Sequence, residues 1–171
     1  MTSQGPGSEG LDVEDAFIGL GSNLGDRVGE LDRAFNEIAV LPATTLVARS
    51  SYYESAPVDA VGDDYLNAVA HVRTSLAPAD LLRALQGIEA RHGRLRPFPR
   101  APRTLDLDLL LLGTRTMATP ELTLPHPRIG ERAFVLVPLA EIAPGLDVPG
   151  QGRVEALRTA VSAQAIARRH R

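Results

Sequence analysis

The segment Arg103-Thr104-Leu105-Asp106-Leu107-Asp108-Leu109-Leu110-Leu111-Leu112 constrains this chain more than any other. Its apolar run has the length and composition of a buried strand, yet buried strands do not normally tolerate carboxylates. Side chains alternate along a strand, so Asp106 and Asp108 share one face with Cα atoms about 7 Å apart. Leu105, Leu107, Leu109 and Leu111 then occupy the other face, against helices. Two carboxylates this close repel each other unless cations lie between them. The pair is therefore either a solvated strand start or a metal site. With oxygen ligands alone the metal is a hard one, Mg²⁺ above all, and Mg²⁺ held by one or two carboxylates usually meets phosphate.

The loop before this strand carries the opposite charge. Arg94, Arg96, Arg100 and Arg103 fall within ten residues of a chain whose net charge is −3. Guanidinium forks suit phosphate oxygens, and Pro97, Pro99 and Pro102 keep the segment out of regular structure. Taken alone it reads equally as a solvated surface loop. Joined to a metal-binding strand, it points to a Mg²⁺-nucleotide site without a P-loop. The chain contains no lysine, which excludes the P-loop and Schiff-base chemistry, and no cysteine, which excludes thiolate metal sites, disulfides and thiol catalysis. Tyr65 and Asn67 share a face of another strand, where a ring beside an amide can stack on a heterocycle and bond its edge; Tyr65 also suits plain packing. His126 sits between two prolines, either in a rigid functional loop or on the surface. Gly19, Gly21 and Gly25 space as GxGxxxG and not as the dinucleotide fingerprint, so they are expected to serve a tight strand-to-helix turn.

The elements expected along the chain begin with a strand at 16–21 and a helix at 26–41 stopped by Pro42. A strand at 45–54 and another at 65–74 form a long hairpin. A helix follows, opened by Pro78 and ended by Gly93, with Leu81, Leu85, Ile88 and His92 on one side. Then come the acid strand, a short run AFVLVPL, and an amphipathic basic helix near 153–169. This order fits an α+β fold, a ferredoxin-like α/β sandwich with a βαββαβ core, helices on one face of a mostly antiparallel sheet, and a C-terminal extension. Residues 1–15 read as a disordered acidic tail and not as a signal peptide, and 16–171 as a single domain. No apolar segment is long enough to span a membrane, and the net charge gives no general reason to bind nucleic acid or an anionic membrane. The protein is expected in the cytoplasm.

The stretches FIGLGSNLGDR, YYESAP, DYLNAV, RTLDLDLLLLG, LPHPR and ERAFVLVPLAEIAP, in this order over about residues 16–149, resemble the 6-hydroxymethyl-7,8-dihydropterin pyrophosphokinase family. The resemblance implies transfer of the β,γ-diphosphate of ATP to the hydroxymethyl group of a reduced pterin, with release of AMP, in folate biosynthesis. It implies that Asp106 and Asp108 hold two Mg²⁺ ions along the triphosphate, with Arg94 and Arg103 beside them as catalytic residues. Tyr65 and Phe134 would sandwich the pterin, Asn67 would bond its edge, and Ser55, Pro57 and Val58 would line the pocket. Gln86, Glu89, Arg96, Arg103, Thr123, His126 and Arg132 would bind ATP. The family further suggests a monomer acting on small molecules. Two departures stand out. Arg100-Ala101-Pro102 replaces an aromatic-Gly-Pro stretch in a loop one residue shorter, leaving Phe98 as the aromatic for a lid, and Glu121 stands where some members have a basic residue.

Two rival readings make other predictions. A nucleotidyltransferase also uses a Gly-Ser turn and an Asp-x-Asp strand, but close together in sequence; here Ser22 and Asp106 are more than eighty residues apart. A non-catalytic ferredoxin-like module gives no reason for the two acids and the arginine loop to converge.

Overall fold

In the computed structural model, which describes residues 12–56, 64–93 and 104–169, strand β1 (Glu14–Ser22) runs through the middle of the main sheet. It is followed by α1 (Arg27–Ala39), β2 (Thr44–Arg49), β3 (Tyr53–Ser55), β4 (Tyr65–Thr74), α2 (Pro78–Arg91) and β5 (Asp106–Leu112). β1 pairs antiparallel with β4 on one side and β5 on the other. β2 and β3 each pair with a different part of β4. The expected βαββαβ order and antiparallel sheet are both present.

The helices form where the sequence places them. Asp26 caps α1 by accepting from the Gly29 amide at 3.1 Å, and Leu31, Ala34, Phe35 and Ile38 are its buried stripe. Pro78 opens α2, which buries Leu81, Leu85 and Ile88, and Gly93 follows its end with φ of 70°. These stripes pack on Ile18, Leu20, Leu66, Ala68, Leu107 and Leu109 to make the larger core. His92, at the end of α2, ties the two helices together. Its ring nitrogens lie 2.5 Å from Glu30 Oε2 and 2.7 Å from Glu37 Oε1, with the side chain 4% exposed. The Thr104 hydroxyl donates to the His92 carbonyl at 2.5 Å, which ties the start of the acid strand to the end of α2.

The C-terminal extension folds over part of the opposite sheet face. After the short ribbons β6 (Met117–Ala118) with β7 (Thr123–Leu124), a 3-10 turn at Ile129–Glu131 leads into α3 (Ala133–Ile142). A ribbon of β8 (Asp147–Val148) and β9 (Gly152–Arg153) leads into α4 (Val154–Ala160), and β10 (Ala167–Arg168) pairs with β3 at the sheet edge. Val135 and Leu139 of α3 pack on Phe17, Val69, Leu110 and Leu111 as a second core.

Four local expectations change. Simple alternation would put Leu111 with the α1–α2 core, but the register with β1 shifts between Phe17 and Ile18, leaving Leu110 as an extra residue in β5. Leu111 therefore joins the second core while Leu112 takes its place in the first. The strand expected at 45–54 is broken at Ser50, whose hydroxyl accepts from the Val69 amide at 2.8 Å and so substitutes for a ladder bond. β1 begins at Glu14, within the expected tail, because Glu14 and Asp15 pair with Thr74 and Arg73; residues 1–11 lie outside the described part. The helix near 153–169 ends at Ala160, after which the chain turns and returns as β10.

One polar cluster joins β3 to α3. Glu141 Oε1 accepts from the Tyr53 hydroxyl at 2.7 Å and the Ser51 amide at 2.9 Å, and Oε2 accepts from the Ser51 hydroxyl at 2.8 Å. Burial alone pushes Glu141 upward, but the bonds from Tyr53 and Ser51, with Arg168 nearby, bring its carboxyl below the usual value of 4.5. For Tyr53, burial and then the bond to Glu141 raise the hydroxyl to about 12. Because the folded value of Glu141 is the lower one, its contribution is present above the ordinary glutamate range and fades as pH falls through it. Glu141→Gln is expected to lower Tm by about 3–6 °C near neutral pH. Thermal unfolding followed by circular dichroism should show that gap narrowing in acid, well below the glutamate range. A gap of constant size would assign the effect to packing and not to the charge.

Candidate active site

The acids gain their open surface from the strand beside them. In the pairing of β1 with β5, Gly21 stands opposite Asp106 and Gly19 opposite Asp108. In the pairing with β4, the same glycines stand opposite Asn67 and Val69. Directly opposed residues share a face, so Asn67, Gly21 and Asp106 form one row across three strands. The middle of that row has no side chain. A Cβ on Gly21 would lie 3.4 Å from a Tyr65 ring carbon and 3.6 Å from Asn67 Oδ1. Gly19 and Gly21 are thus strand residues that make room: Gly21 beside Tyr65 and Asn67, and Gly19 for the Leu110 side chain, which a Cβ there would meet at 3.6 Å. Only Gly25, with φ of 73°, serves the turn that all three were expected to make.

The acid strand is pinned from behind. Leu107 lies between the two acids, and its outward-facing amide donates to Glu89 Oε2 at 2.8 Å. Glu89 is 3% exposed on α2, whereas Gln86, one turn earlier, is exposed. The two residues, three apart on α2, therefore differ in exposure. Asp106 and Asp108 are half-buried.

Beside them, the Asn67 amide donates to Ser55 Oγ at 2.8 Å and to the Tyr53 carbonyl at 3.3 Å. This directs Oδ1 to the Gly21 side. The structure so brings together Ser55, Tyr65, Asn67, Asp106 and Asp108. Arg27 holds the ends of the intervening loop: it donates to the Asp64 carbonyl at 2.8 Å and to Glu54 at 2.9 Å. Pro57 and Val58 lie outside the described residues, as do Arg94, Arg96, Phe98, Arg100 and Arg103.

The segment after β7 adds a cationic and aromatic side. His126 is anchored by its amide to the Leu110 carbonyl at 2.9 Å, and its Nδ1 accepts from the Arg128 amide at 3.2 Å. Burial, then the charge of Arg132, lowers its pKa; Asp106 opposes this and Arg128 adds to it. A neutral ring with Nδ1 accepting carries its hydrogen on Nε2, where it can donate to a phosphate oxygen. The Arg132 guanidinium lies 5.3 Å from the centre of the Phe134 ring. Its buried Nε has no hydrogen-bond partner among the described residues. A buried donor without a partner costs roughly 1–3 kcal/mol, and an anionic ligand removes that cost. Thr123 is exposed on β7.

Among the described residues no three His, Cys, Asp or Glu side chains converge as a metal cage. The donor set is two carboxylates on a cleared floor. That fits Mg²⁺, which takes one or two carboxylates and completes its shell with water and substrate phosphate.

Sequence reasoning missed Gly19, Gly21 and Arg27 as site residues. The signal for the glycines was their two-residue spacing inside a strand, where side chains on one face recur every second position. Arg27 closes the FIGLGSNLGDR stretch, but nothing in its spacing announces its partners, a backbone carbonyl and a residue of β3.

An α+β sandwich that sets paired carboxylates, an imidazole of lowered pKa and a guanidinium near one another is an arrangement suited to nucleotide phosphates. The model for 7,8-dihydro-6-hydroxymethylpterin-pyrophosphokinase matches residues 17–144. The 2-amino-4-hydroxy-6-hydroxymethyldihydropteridine pyrophosphokinase of Pseudomonas aeruginosa is 44% identical over 138 residues, 80% of this chain and 85% of that protein. The Haemophilus influenzae enzyme of the same name is 46% identical over 135 residues, 78% of this chain and 84% of that protein. Among solved structures, a Plasmodium falciparum HPPK-DHPS triple mutant aligns with a TM-score of 0.71 at 11% identity. That alignment covers 89% of this chain and 44% of the other, a likeness of fold. This chain belongs to the 7,8-dihydro-6-hydroxymethylpterin-pyrophosphokinase family.

Proposed function

We infer that this chain transfers the diphosphate of ATP to the hydroxymethyl group of 6-hydroxymethyl-7,8-dihydropterin and releases AMP, a step of folate biosynthesis. The observation that carries the reading is the row Asn67–Gly21–Asp106, which sets a heterocycle-binding amide beside the phosphate-side acids across a bare glycine. The substrate hydroxyl oxygen bonds to the β-phosphorus, the bond from the β-phosphorus to the α-bridging oxygen breaks, and the hydroxyl proton passes to solvent. No residue has to act as a strong base. The chain's work is alignment and neutralisation of charge.

Tyr65 and Phe134 hold the pterin faces, and Asn67 and Ser55 its edge, with Pro57 and Val58 completing the pocket. Asp106 and Asp108 hold two Mg²⁺ ions, which supply neutralisation of the triphosphate. His126 Nε2 and Arg132 donate to phosphate oxygens, joined by Arg94, Arg96 and Arg103. Gln86, Glu89 and Thr123 serve the nucleotide side. Glu89 does so by holding β5 as well as by its place on α2. The chain acts as a single domain from residue 16 onward and as a monomer in the cytoplasm, without nucleic acid or membrane as partner. Two features support the last point: a net charge of −3 and no described helix long and apolar enough to cross a membrane.

Incubation with ATP, Mg²⁺ and the hydroxymethyl-dihydropterin should yield AMP and pterin diphosphate in equal amounts. Release of pyrophosphate would identify nucleotidyl transfer instead, and no product at all would favour a binding module. Tyr65→Ala and Phe134→Ala should each weaken pterin binding about fivefold through lost stacking, with nucleotide binding little changed. Calorimetry with a pterin analogue and a non-hydrolysable ATP analogue measures both. Equal loss of the two ligands would place the pterin elsewhere.

A further inference from the structure

Residues beyond 144 lie outside the family match, yet one of them reaches the site. Gln164, in the turn between α4 and β10, bonds the backbone on both sides of Arg132. Its Oε1 accepts from the Ala133 amide at 2.9 Å, and its Nε2 donates to the Glu131 carbonyl at 2.7 Å. A carboxamide is the side chain that offers one donor and one acceptor in a single fork. The Ala133 amide is the first of helix α3, and no side chain at the cap position, Arg132, satisfies it. Gln164 therefore acts as the cap from a distance, across more than thirty positions of sequence.

The placement matters because Arg132 sits inside the clamped stretch and Phe134 follows directly. Arg132 is extended, with φ of −124° and ψ of 110°, so its side-chain direction depends on the two peptides that Gln164 holds. The neighbouring residues lock the turn onto α3: Val161 packs with Ala133 and Leu136, and Leu157 and Ile166 pack against them. Three residues after Gln164, Ala167 pairs with Glu54, Arg168 pairs with Tyr53, and the Arg169 amide donates to the Tyr52 carbonyl at 2.8 Å. The same short segment thus holds both α3 and β3, the strand that carries Ser55.

We propose that Gln164 is a positioning residue for diphosphate transfer: its carboxamide clamps residues 131–133 and so aims Arg132 at the nucleotide phosphates and Phe134 at the pterin. The proposal rests on the roles given above to Arg132 and Phe134. Its signature is that a single substitution, touching neither ligand, weakens both.

The test is calorimetry of the full chain with Mg²⁺ and a non-hydrolysable ATP analogue, then with a pterin analogue, well below Tm. Gln164→Ala should weaken each ligand about fivefold, the scale of the lost bonds. Gln164→Glu, which keeps the acceptor for Ala133 but sets a second acceptor against the Glu131 carbonyl, should restore neither affinity. Ile38→Val, a buried change in α1 far from the clamp, should lower Tm and leave both affinities within twofold. If Gln164→Ala lowers Tm but leaves both affinities unchanged, the clamp is only structural and the proposal falls. Parallel measurements on Arg132→Ala and Phe134→Ala separate the two levels. If these also bind both ligands normally, the assignment of the site is what fails; if they bind weakly while Gln164→Ala binds normally, only the clamp fails.

Discussion

Asp106→Ala and Asp108→Ala are each expected to keep the fold and lose turnover by about a thousandfold or more. The transferred diphosphate carries its negative charge on its non-bridging oxygens, and almost all of the catalytic task is to neutralise and align it. In the proposed mechanism each carboxylate would supply a hard oxygen ligand for Mg²⁺, with Gly21 opposite Asp106 and Gly19 opposite Asp108. Either substitution leaves one ligand where two are needed. The fold survives because both acids stand half-buried on the open face, while Leu105, Leu107 and Leu109 do the packing behind them. The measurement pairs AMP release under saturating substrates with thermal unfolding. Near-normal turnover in both variants would remove the metal assignment. Loss of the folded state would show that the acids hold the sheet together instead.

Gly21→Val should be the second most damaging change, and for the opposite reason: it adds something. The first added carbon would meet Tyr65 at 3.4 Å and Asn67 at 3.6 Å, which is ordinary contact. Valine also suits a strand, so Tm should move little. The two further methyl groups, however, fill the floor between the pterin wall and the acids. Overpacking of a fitted space costs about 1–3 kcal/mol, which corresponds to up to about a hundredfold in affinity. Pterin binding should suffer by roughly that factor, and nucleotide binding far less. The change lies on no residue that would bond a ligand, so it tests the shape of the site separately from its chemistry. Unchanged pterin affinity would mean that the row from Asn67 to Asp106 is not the binding floor.

The sequence revealed what depends on periodicity. The stripes of α1 and α2, the opening of α2 at Pro78 and the common face of Asp106 and Asp108 all follow from spacing along a single element. Spacing fails where partners come from distant parts of the chain. The Ser50 break replaces a ladder bond with a side chain, and nothing local announces it. The helix near 153–169 stops at Ala160 because β10 finds a partner in β3, a contact across more than a hundred residues. The glycines of β1 show a third kind of miss. Their sequence pattern resembles a turn, and only the strands on either side reveal that they keep space clear. Within the site, the acids and the Tyr65–Asn67 pair were legible because the chemistry lies in their residue types. Glu89, Arg27 and Gln164 act by holding backbone, and backbone partners leave no mark on composition.

The extra residue at Leu110 divides the acid strand into two stretches with different histories open to them. Upstream, every second side chain is a half-buried acid on the open face, so substitution there bears on the proposed chemistry. Downstream, the added residue has reversed the sides, and Leu111 and Leu112 answer only to the shape of the two cores they fill. A single-residue deletion at 110 would straighten the strand, leave Leu111 opposite Phe17 and Leu112 opposite Ala16, and take from the second core only the Leu110 side chain. The irregularity is what lets one strand of seven residues serve a charged surface at one end and two hydrophobic interiors at the other.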